Sequence, residues 1–377
     1  MTSPRLQIAS LYLSYGMAGI FWGAFAASTP AVQLRSGLET GGFGLALGAM
    51  TLTAFPVMQV FGRVISRITP VAIPLAMAAF TVGCLTLAAA PSLPVLLIAL
   101  GILGGASGAL DIALNMRTAR IEEDTGARLF NRVHAVFPLA MLVASAATGW
   151  LRAGGATLGA IFPVVALGFL LVAAGEYRAG AHQDRADASA PKGRLPLAGA
   201  TLLLGLVAAL GAFQEAAPQN WAAIFVETVR GAGPAVAGLA PAAFTLGLSL
   251  GRLAAHEVEH KLTPMATVRL AALFSIPTFA ALALPLPSLG ILALYLVAGI
   301  GVGPIEPAVF RAVARRSHDA NRGRMLASVT SVAYLGYLLS PPVLGVIAER
   351  FGWGALWGFA GLCALTVVGL TFAIRKV

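Results

Sequence analysis

Long apolar runs with almost no charge constrain this chain more than any other feature. Several stretches of about twenty residues contain almost no Asp, Glu, Lys or Arg, and each is long enough to cross a hydrocarbon core of about 30 Å. Only 11% of the 377 residues are charged, whereas an ordinary soluble domain has roughly 25%. The pattern excludes a water-soluble globular protein and predicts an all-α membrane protein.

The charged, Pro and Gly residues between these runs predict twelve transmembrane helices. At about 20 residues each, the helices leave room only for short loops and for no soluble domain. The longest polar stretch, residues 176–196, has no apolar periodicity and predicts a flexible linker. The predicted spans are 8–32, 42–61, 71–90, 93–116, 134–152, 157–176, 197–220, 235–255, 265–285, 288–312, 325–348 and 353–374.

Basic residues lie mostly on one side of the predicted spans. Only four of the 25 lysines and arginines fall in odd-numbered loops, namely Arg35, Arg152, Arg230 and Arg350. The positive-inside rule therefore predicts that both termini and the central linker are cytoplasmic and that the chain lies in the inner membrane. The basic residues behind the net charge of +10 are then interpreted as topology signals and as contacts with anionic membrane lipids, and not as a nucleic-acid site.

The two halves of the chain contain similar segments in the same order. Each match is weak in a sequence rich in Ala and Gly, but the offsets of 188, 189 and 195 residues all lie close to half the length. They predict two pseudo-symmetric six-helix halves in parallel orientation, residues 1–176 and 197–377, with a solute site between them. The matched pairs are 23–30 with 211–218, 54–63 with 243–252, and 104–111 with 299–306.

Residues 62–67 (GRVISR) resemble the loop motif of the major facilitator superfamily of secondary transporters, in which glycine and three further residues precede Asp-Arg. The sequence departs from the motif at Ser66, where the family has Asp. The resemblance implies a conformational role for Gly62, Arg63 and Arg67. It implies the same role for Gly251 and Arg252 in the second copy, which has Ala255 and His256 in the Asp-Arg places.

Other segments are similar to the bacterial branch around fucose permease and the YbjJ-type inner-membrane proteins. They are residues 110–115 followed by Glu122 and His134, Glu215 followed by 220–221, and 334–345. This resemblance covers nearly the whole chain. It implies the major facilitator fold of twelve helices and transport of a small molecule by alternating access.

Three acids inside predicted spans are the main candidates for chemistry. An ionised carboxylate in a membrane costs several kcal/mol unless it is paired or wetted, so Asp111 in span 4 is a candidate site residue. Asn115 follows at i+4 and shares its helical face. The alternative is that Asp111 only forms a hydrogen bond between helices.

Glu306 lies between Pro304 and Pro307, which interrupt helical hydrogen bonding, and this favours a binding or coupling site over a merely kinked helix. Glu215 is the only charge in span 7 and is either a substrate or proton ligand or a wetted rim carboxylate. No basic residue is predicted as deep as these acids. We therefore expect proton binding at Asp111 first and at Glu306 second.

Aromatic residues of span 1 share one helical face. The spacings of Tyr15, Trp22 and Phe25 favour core packing, and stacking on a sugar or aromatic solute is the alternative. Trp221, Trp353 and Trp357 are interpreted as interfacial anchors.

The segment 256–260 (HEVEH) satisfies the H-E-x-x-H pattern of zinc proteases. No third ligand is evident nearby, so we interpret the match as coincidence and expect no metal, no cofactor and no enzyme activity. His134 is interpreted as an anchor against Glu122 or Glu123, with a proton relay as the alternative.

The sequence thus predicts a monomeric secondary transporter for a sugar-like or other small polar metabolite, driven by protons. Span 5 lacks the Gly-Pro-rich segment typical of drug antiporters, which favours uptake by symport. A proton-driven efflux antiporter is the first alternative, and an intramembrane zinc protease based on HEVEH is the alternative from another class.

Overall fold

The computed structural model describes residues 4–90, 92–127, 129–178, 199–316 and 319–374, and these residues form helices and contain no strand. A π-helical turn, Phe225–Val229, follows the sixth helix. The helices are α1 Pro4–Ser36, α2 Thr40–Ala89, α3 Leu93–Thr125, α4 Phe130–Ala153, α5 Leu158–Arg178, α6 Ala200–Ile224, α7 Pro234–Val258, α8 Pro264–Ala281, α9 Ser288–Val302, α10 Ile305–Arg316, α11 Asp319–Phe351 and α12 Trp353–Ile374.

Twelve stretches of the described chain are long and apolar enough to cross a membrane, which confirms the predicted number of spans. Helix and span do not correspond one to one. The second and third spans both belong to α2, whose backbone is helical through residues 63–70, so the loop predicted there is wrong. The tenth span is divided into α9 and α10 by a turn at Gly303 and Pro304.

The predicted linker begins too early. Glu176 is fully buried, and α5 continues to Arg178. Its carboxylate lies 2.9 Å from Arg117 Nη1 and accepts a hydrogen bond of 2.7 Å from Ser14 Oγ. An ion pair between α5 and α3 therefore keeps the start of this polar stretch helical. The rest of the predicted linker, residues 179–196, lies outside the described residues.

The described residues belong to two compact units. Unit 1 falls within Met1–Gly37 and Ala46–Ala190, and unit 2 within Leu38–Leu45 and Pro191–Val377. No sequence pattern indicated that the short segment Leu38–Leu45 belongs to unit 2. The Gly41 N–H donates to Glu349 Oε2 at 2.6 Å, which ties the first turn of α2 to α11.

Unit 1 has an aromatic core. Phe80 of α2 and Phe169 of α5 stack with ring centroids 4.5 Å apart, and Phe21 of α1 packs edge-on against Phe80 at 4.9 Å. All three side chains are fully buried. Because such rings pack with defined geometry, they fix these helices around one centre.

Unit 2 also has an aromatic core, and this corrects the interpretation of its tryptophans. Trp221 and Trp357 are fully buried rather than interfacial. Phe225 packs against Trp357 at 5.6 Å and against the half-buried Trp353 at 5.7 Å. Hydropathy could not separate these side chains from interfacial ones, because both lie near helix ends.

Glycines set the helix register in each unit in the same way. In unit 1, a Cβ on Gly104 or Gly108 of α3 would overlap or crowd the carbonyl oxygens of Met50 or Ala54 on α2. In unit 2, Gly299 of α9 and Gly303 at its C-cap meet the carbonyls of Phe244 and Leu248 on α7 in the same way. Close helix approach requires the missing Cβ at these positions.

These equivalent contacts correct the internal alignment. The contact residues of α3 and their equivalents at α9 are 195 residues apart in the sequence, and those of α2 and α7 are 194 residues apart. The offset of 189 predicted for α2 and α7 is therefore wrong by five residues. The structural counterpart of Arg252 is Met58, and the counterpart of Gly62 is His256.

Three of the four arginines in odd-numbered loops donate to backbone carbonyls. Arg35 Nη1 donates to Ala88 O at 2.7 Å, and Arg230 Nη2 donates to Leu284 O at 2.6 Å. Arg152 Nη1 donates to Ala27 O at 2.8 Å, in the turn that Pro30 disrupts. Carbonyls at or after helix ends have no helical donor, which explains the partners of Arg35 and Arg230, and Arg152 has a carbonyl partner within α1.

Candidate functional site

An ion pair lies inside the spans of unit 2. Glu215 projects from α6, four residues before a second polar side chain, Gln219, whose amide reaches its Oε1 at 3.4 Å. The other carboxylate oxygen, Oε2, accepts a hydrogen bond of 3.1 Å from Arg252 Nη2 on α7. Glu215 is 13% exposed and Arg252 is 37% exposed, so the ion pair is only partly accessible to solvent.

Three further polar groups interact with this guanidinium. Glu306, in the first turn of α10, lies within electrostatic range of Arg252, as does Tyr337 of α11. Arg252 Nε also donates to the Gly303 carbonyl at 3.2 Å. The described part of unit 2 thus places two carboxylates and one guanidinium together inside apolar spans.

The sequence analysis missed this arrangement because it assigned Arg252 to a loop motif. Arg252 was placed in a loop motif, but it lies inside α7, six residues before the helix ends at Val258. The expectation that no basic residue lies deep enough to neutralise the acids is therefore wrong. The signal was present in the sequence, because Arg252 follows an apolar run of α7 without any intervening loop residue.

Unit 1 contains a separate polar network built from α1 and α3. Asn115 Nδ2 donates to Asp111 Oδ1 at 3.1 Å, and Tyr15 OH donates to Asn115 Oδ1 at 3.1 Å. The Tyr15 hydroxyl also lies 3.3 Å from Thr118 Oγ1. Asp111 itself is exposed, although it lies in the middle of α3. The structure therefore brings Tyr15, Asp111 and Asn115 together and adds Thr118, which the sequence did not indicate.

His134 belongs to this network and not to the loop before α4. Its ring lies 5.1 Å from the Tyr15 ring and stacks on Phe130 at 5.1 Å, and Nδ1 is 2.9 Å from the Phe130 carbonyl. Glu122 instead accepts the backbone N–H groups of Leu129 and Phe130. The predicted anchor is thus made by Glu122 with the backbone, and the histidine is left beside Tyr15.

The aromatic face of α1 divides into core and accessible residues. Phe25 is fully buried, which agrees with core packing. Trp22 is half-buried and packs edge-on against Phe21 and Phe25. Of the other two aromatic residues considered as solute ligands, Trp22 keeps accessible surface and Tyr15 is buried in the hydrogen-bond network.

The loop motif lies on helical backbone in both halves. Gly62 is in α2, where a Cβ would meet Ile112 at an ordinary 3.8 Å. The side chains of Arg63 and Arg67 lie outside the described part of the chain. In the second copy, a Cβ on Gly251 would overlap the Ile300 carbonyl, so this glycine serves close packing of α7 on α9.

The HEVEH segment forms the last turn of α7 and the residues after it. Glu259 pairs with Arg311 of α10 and lies 3.4 Å from His256 Nδ1. Among the described residues, no three His, Cys, Asp or Glu side chains are grouped as a metal would require.

Comparison with known sequences identifies the family. The sequence model of the Major Facilitator Superfamily matches residues 11–318 and 270–377. The chain belongs to the major facilitator superfamily. It is therefore a multi-pass membrane protein of a secondary transporter family, as the resemblance of its motifs implied.

Individual relatives are distant in sequence and similar over their full length. An uncharacterised MFS-type transporter of Yersinia pestis is 26% identical over 98% of this chain and 96% of its own length. The membrane protein MosC of Rhizobium meliloti is 24% identical, with 100% of this chain and 91% of its own covered.

Two solved structures share the fold. A mutant of the nucleoside transporter NupG superposes with a TM-score of 0.82 at 13% identity, covering 98% of this chain and 99% of its own. A bacterial homologue of the human lysosomal transporter Spinster has a TM-score of 0.77 at 15% identity, covering 98% and 96%. At these identities the likeness concerns the fold alone.

Proposed function

We propose that this chain takes up a small polar solute by proton symport, alternating between two access states. The observation that carries the proposal is the group of two carboxylates, Glu215 and Glu306, near one guanidinium, Arg252, inside the spans of unit 2. An apolar surrounding disfavours the ionised form of a carboxyl group. A carboxyl group of this cluster is therefore suited to take up a proton and release it during each cycle.

The polar network of unit 1 supplies the solute-binding groups in this proposal. Tyr15, Asp111 and Asn115 present hydroxyl, carboxylate and amide groups, which suit the hydroxyls of a sugar-like metabolite. Trp22 adds a half-buried aromatic ring at the same helix. Nucleosides belong in the same panel of candidates because they combine a sugar with a ring that stacks on aromatics.

The decisive experiment uses purified protein in proteoliposomes. Thermal-shift screening with sugars, nucleosides, amino acids and organic acids first identifies a solute that binds. An imposed pH gradient should then drive this solute uphill. Glu306→Gln should abolish accumulation and leave exchange of solute down its gradient partly intact, because only the protonation cycle is lost. Glu257 is exposed and follows Arg252 along α7, outside the ion pair. Glu257→Gln is therefore the matched control, and this variant should accumulate the solute normally.

Three outcomes would contradict the proposal. Accumulation that follows a sodium gradient without pH dependence would remove protons from coupling. Accumulation that persists in Glu306→Gln would remove this carboxylate from it. Export of solute against inward proton flow would establish the efflux antiporter instead.

A further inference from the structure

Prolines deprive two carbonyls of their donors at the break between α9 and α10. In a continuous helix, the carbonyl of residue i accepts from the N–H of residue i+4. Pro304 and Pro307 have no N–H, so the carbonyls of Ile300 and Gly303 lose their helical partners. An unpaired carbonyl within a membrane costs several kcal/mol, so each requires another donor or close contact.

Helix α7 meets both of these carbonyls with consecutive residues. The Gly251 Cα lies so close to the Ile300 carbonyl that a Cβ would overlap it. The next residue, Arg252, donates its Nε–H to the Gly303 carbonyl at 3.2 Å. Of the two carbonyls, Gly303 thus receives a side-chain donor from Arg252, whereas Ile300 is packed closely against Gly251.

Glu215 holds the guanidinium in the position that this requires. Arg252 uses Nη2 for the Glu215 carboxylate at 3.1 Å while Nε points to Gly303, so the two contacts use different edges of one planar group. Both partners belong to unit 2 alone, because the structural counterpart of Arg252 is Met58 and the sequence counterpart of Glu215 is Ala27.

The charged and titratable groups that face Arg252 come from three helices in the described part of unit 2. They are Glu215 of α6, Glu306 of α10 and Tyr337 of α11. Glu306 lies only two residues after Pro304, which is part of the break. Loss of the charge on Glu215 would leave Glu306 as the remaining carboxylate near the guanidinium, on the helix whose start the guanidinium supports.

We propose that Arg252 is a positioning residue that stabilises the α9–α10 break through Gly303, and that the charge of Glu215 sets how firmly it does so. When Glu215 is ionised, Arg252 is held between α6 and the break. When Glu215 is neutral, the guanidinium moves towards Glu306, the Gly303 carbonyl loses its donor and the start of α10 loosens. The inference deepens the proposed coupling site, but its test requires neither a solute nor a proton gradient.

Hydrogen exchange of the purified full chain, measured by mass spectrometry on peptides that cover α10, tests this inference. Arg252→Lys keeps the charge but lacks the fork that reaches both partners, and Glu215→Gln keeps the shape but lacks the charge. Both variants should exchange roughly tenfold faster or more at the start of α10, the scale expected for a lost charge-assisted hydrogen bond. Peptides from α12 serve as the internal reference and should not change.

A second-site variant separates support of Gly303 from general destabilisation. Pro307→Ala returns a backbone N–H to the Gly303 carbonyl, so the helix supplies its own donor. Adding Pro307→Ala to Arg252→Lys should therefore restore slow exchange in α10. Arg117→Lys disturbs the buried ion pair of unit 1 and is the control, with no expected change in α10.

Unchanged α10 exchange in Arg252→Lys and Glu215→Gln would overturn the inference. Equal acceleration in Arg117→Lys, or failure of Pro307→Ala to restore protection, would also overturn it.

Discussion

At the scale of single residues, the two buried charges of unit 1 depend on each other. Arg117 is 6% exposed and Glu176 is fully buried, and Ser14 supplies a further hydrogen bond to the carboxylate. Removal of one partner from a buried pair leaves an uncompensated charge, which is much more costly than losing the attraction itself. The pair is therefore a sensitive point of unit 1 although it lies outside both polar clusters.

We expect Glu176→Ala to destabilise the protein by about 3–5 kcal/mol, because Arg117 is then buried without a countercharge. Thermal unfolding in detergent measures this loss. Arg120→Ala breaks an exposed pair with Asp124 at 3.5 Å and is the control, with an expected change of about 0–1 kcal/mol. Equal effects of the two variants would contradict the role given to the buried pair.

A second prediction concerns access to the unit 1 network. Asp111 is exposed and Asn115 is half-buried on the same face of α3, whereas Leu114 is buried. In a background without Cys84 and Cys363, cysteines at positions 111 and 115 should react with small water-soluble thiol reagents. A cysteine at position 114 should stay inert. If 111 and 115 are also inert in every transport state, the network is a structural link between helices.

At the scale of helices, close packing of α7 on α9 depends on glycine. A Cβ at Gly299 would overlap the Phe244 carbonyl, and backbone cannot give way as a flexible side chain does. The same contact recurs between α2 and α3 at Gly104 and Met50. Each unit therefore brings one pair of helices together by the same backbone approach.

Gly299→Ala should therefore lower stability by about 1–3 kcal/mol, the usual cost of inserting a methyl group into a packed contact. The midpoint of thermal unfolding reports this change. A Cβ added at Gly358 of α12 would meet no neighbouring atom within 4 Å, so Gly358→Ala is the control and should be neutral or slightly stabilising. A tolerated Gly299→Ala would show that α7 and α9 can separate without cost.

Sequence predicted the helices far better than the contacts between them. Hydropathy and length determine a span locally, so all twelve were found, but the continuity of α2 through residues 63–70 has no hydropathy signal. Asp111 and Asn115 were found as a pair because i+4 spacing is local. Arg252 was missed because matching letters suggested an offset of 189, whereas its position is set by packing of α7 against another helix.

At the scale of the whole molecule, the four basic residues that oppose the topology rule have an explanation in three cases. Arg35, Arg152 and Arg230 donate to backbone carbonyls within their own units, so their location follows from structural hydrogen bonds. The rule itself concerns basic residues in short loops, and the large excess on the other side remains. These three arginines are therefore compatible with the predicted topology.

We expect both termini to be cytoplasmic. Reporter fusions after Val377 and within the linker at Lys192 should give a cytoplasmic signal, and a fusion in the short connection at Gly155, between α4 and α5, should give a periplasmic one. A periplasmic signal from either of the first two positions would overturn the assignment of sides.

The ion pair of unit 2 also constrains the order in which its residues arose. Neither partner has a charged counterpart in unit 1, so the two halves differ at this ion pair. A carboxyl group in a membrane can take a proton and persist alone, whereas a guanidinium cannot lose its proton. We therefore expect that the acid at position 215 arose before the arginine at position 252. Among relatives of this chain, a glutamate there without the arginine at 252 should occur, and the reverse combination should be absent.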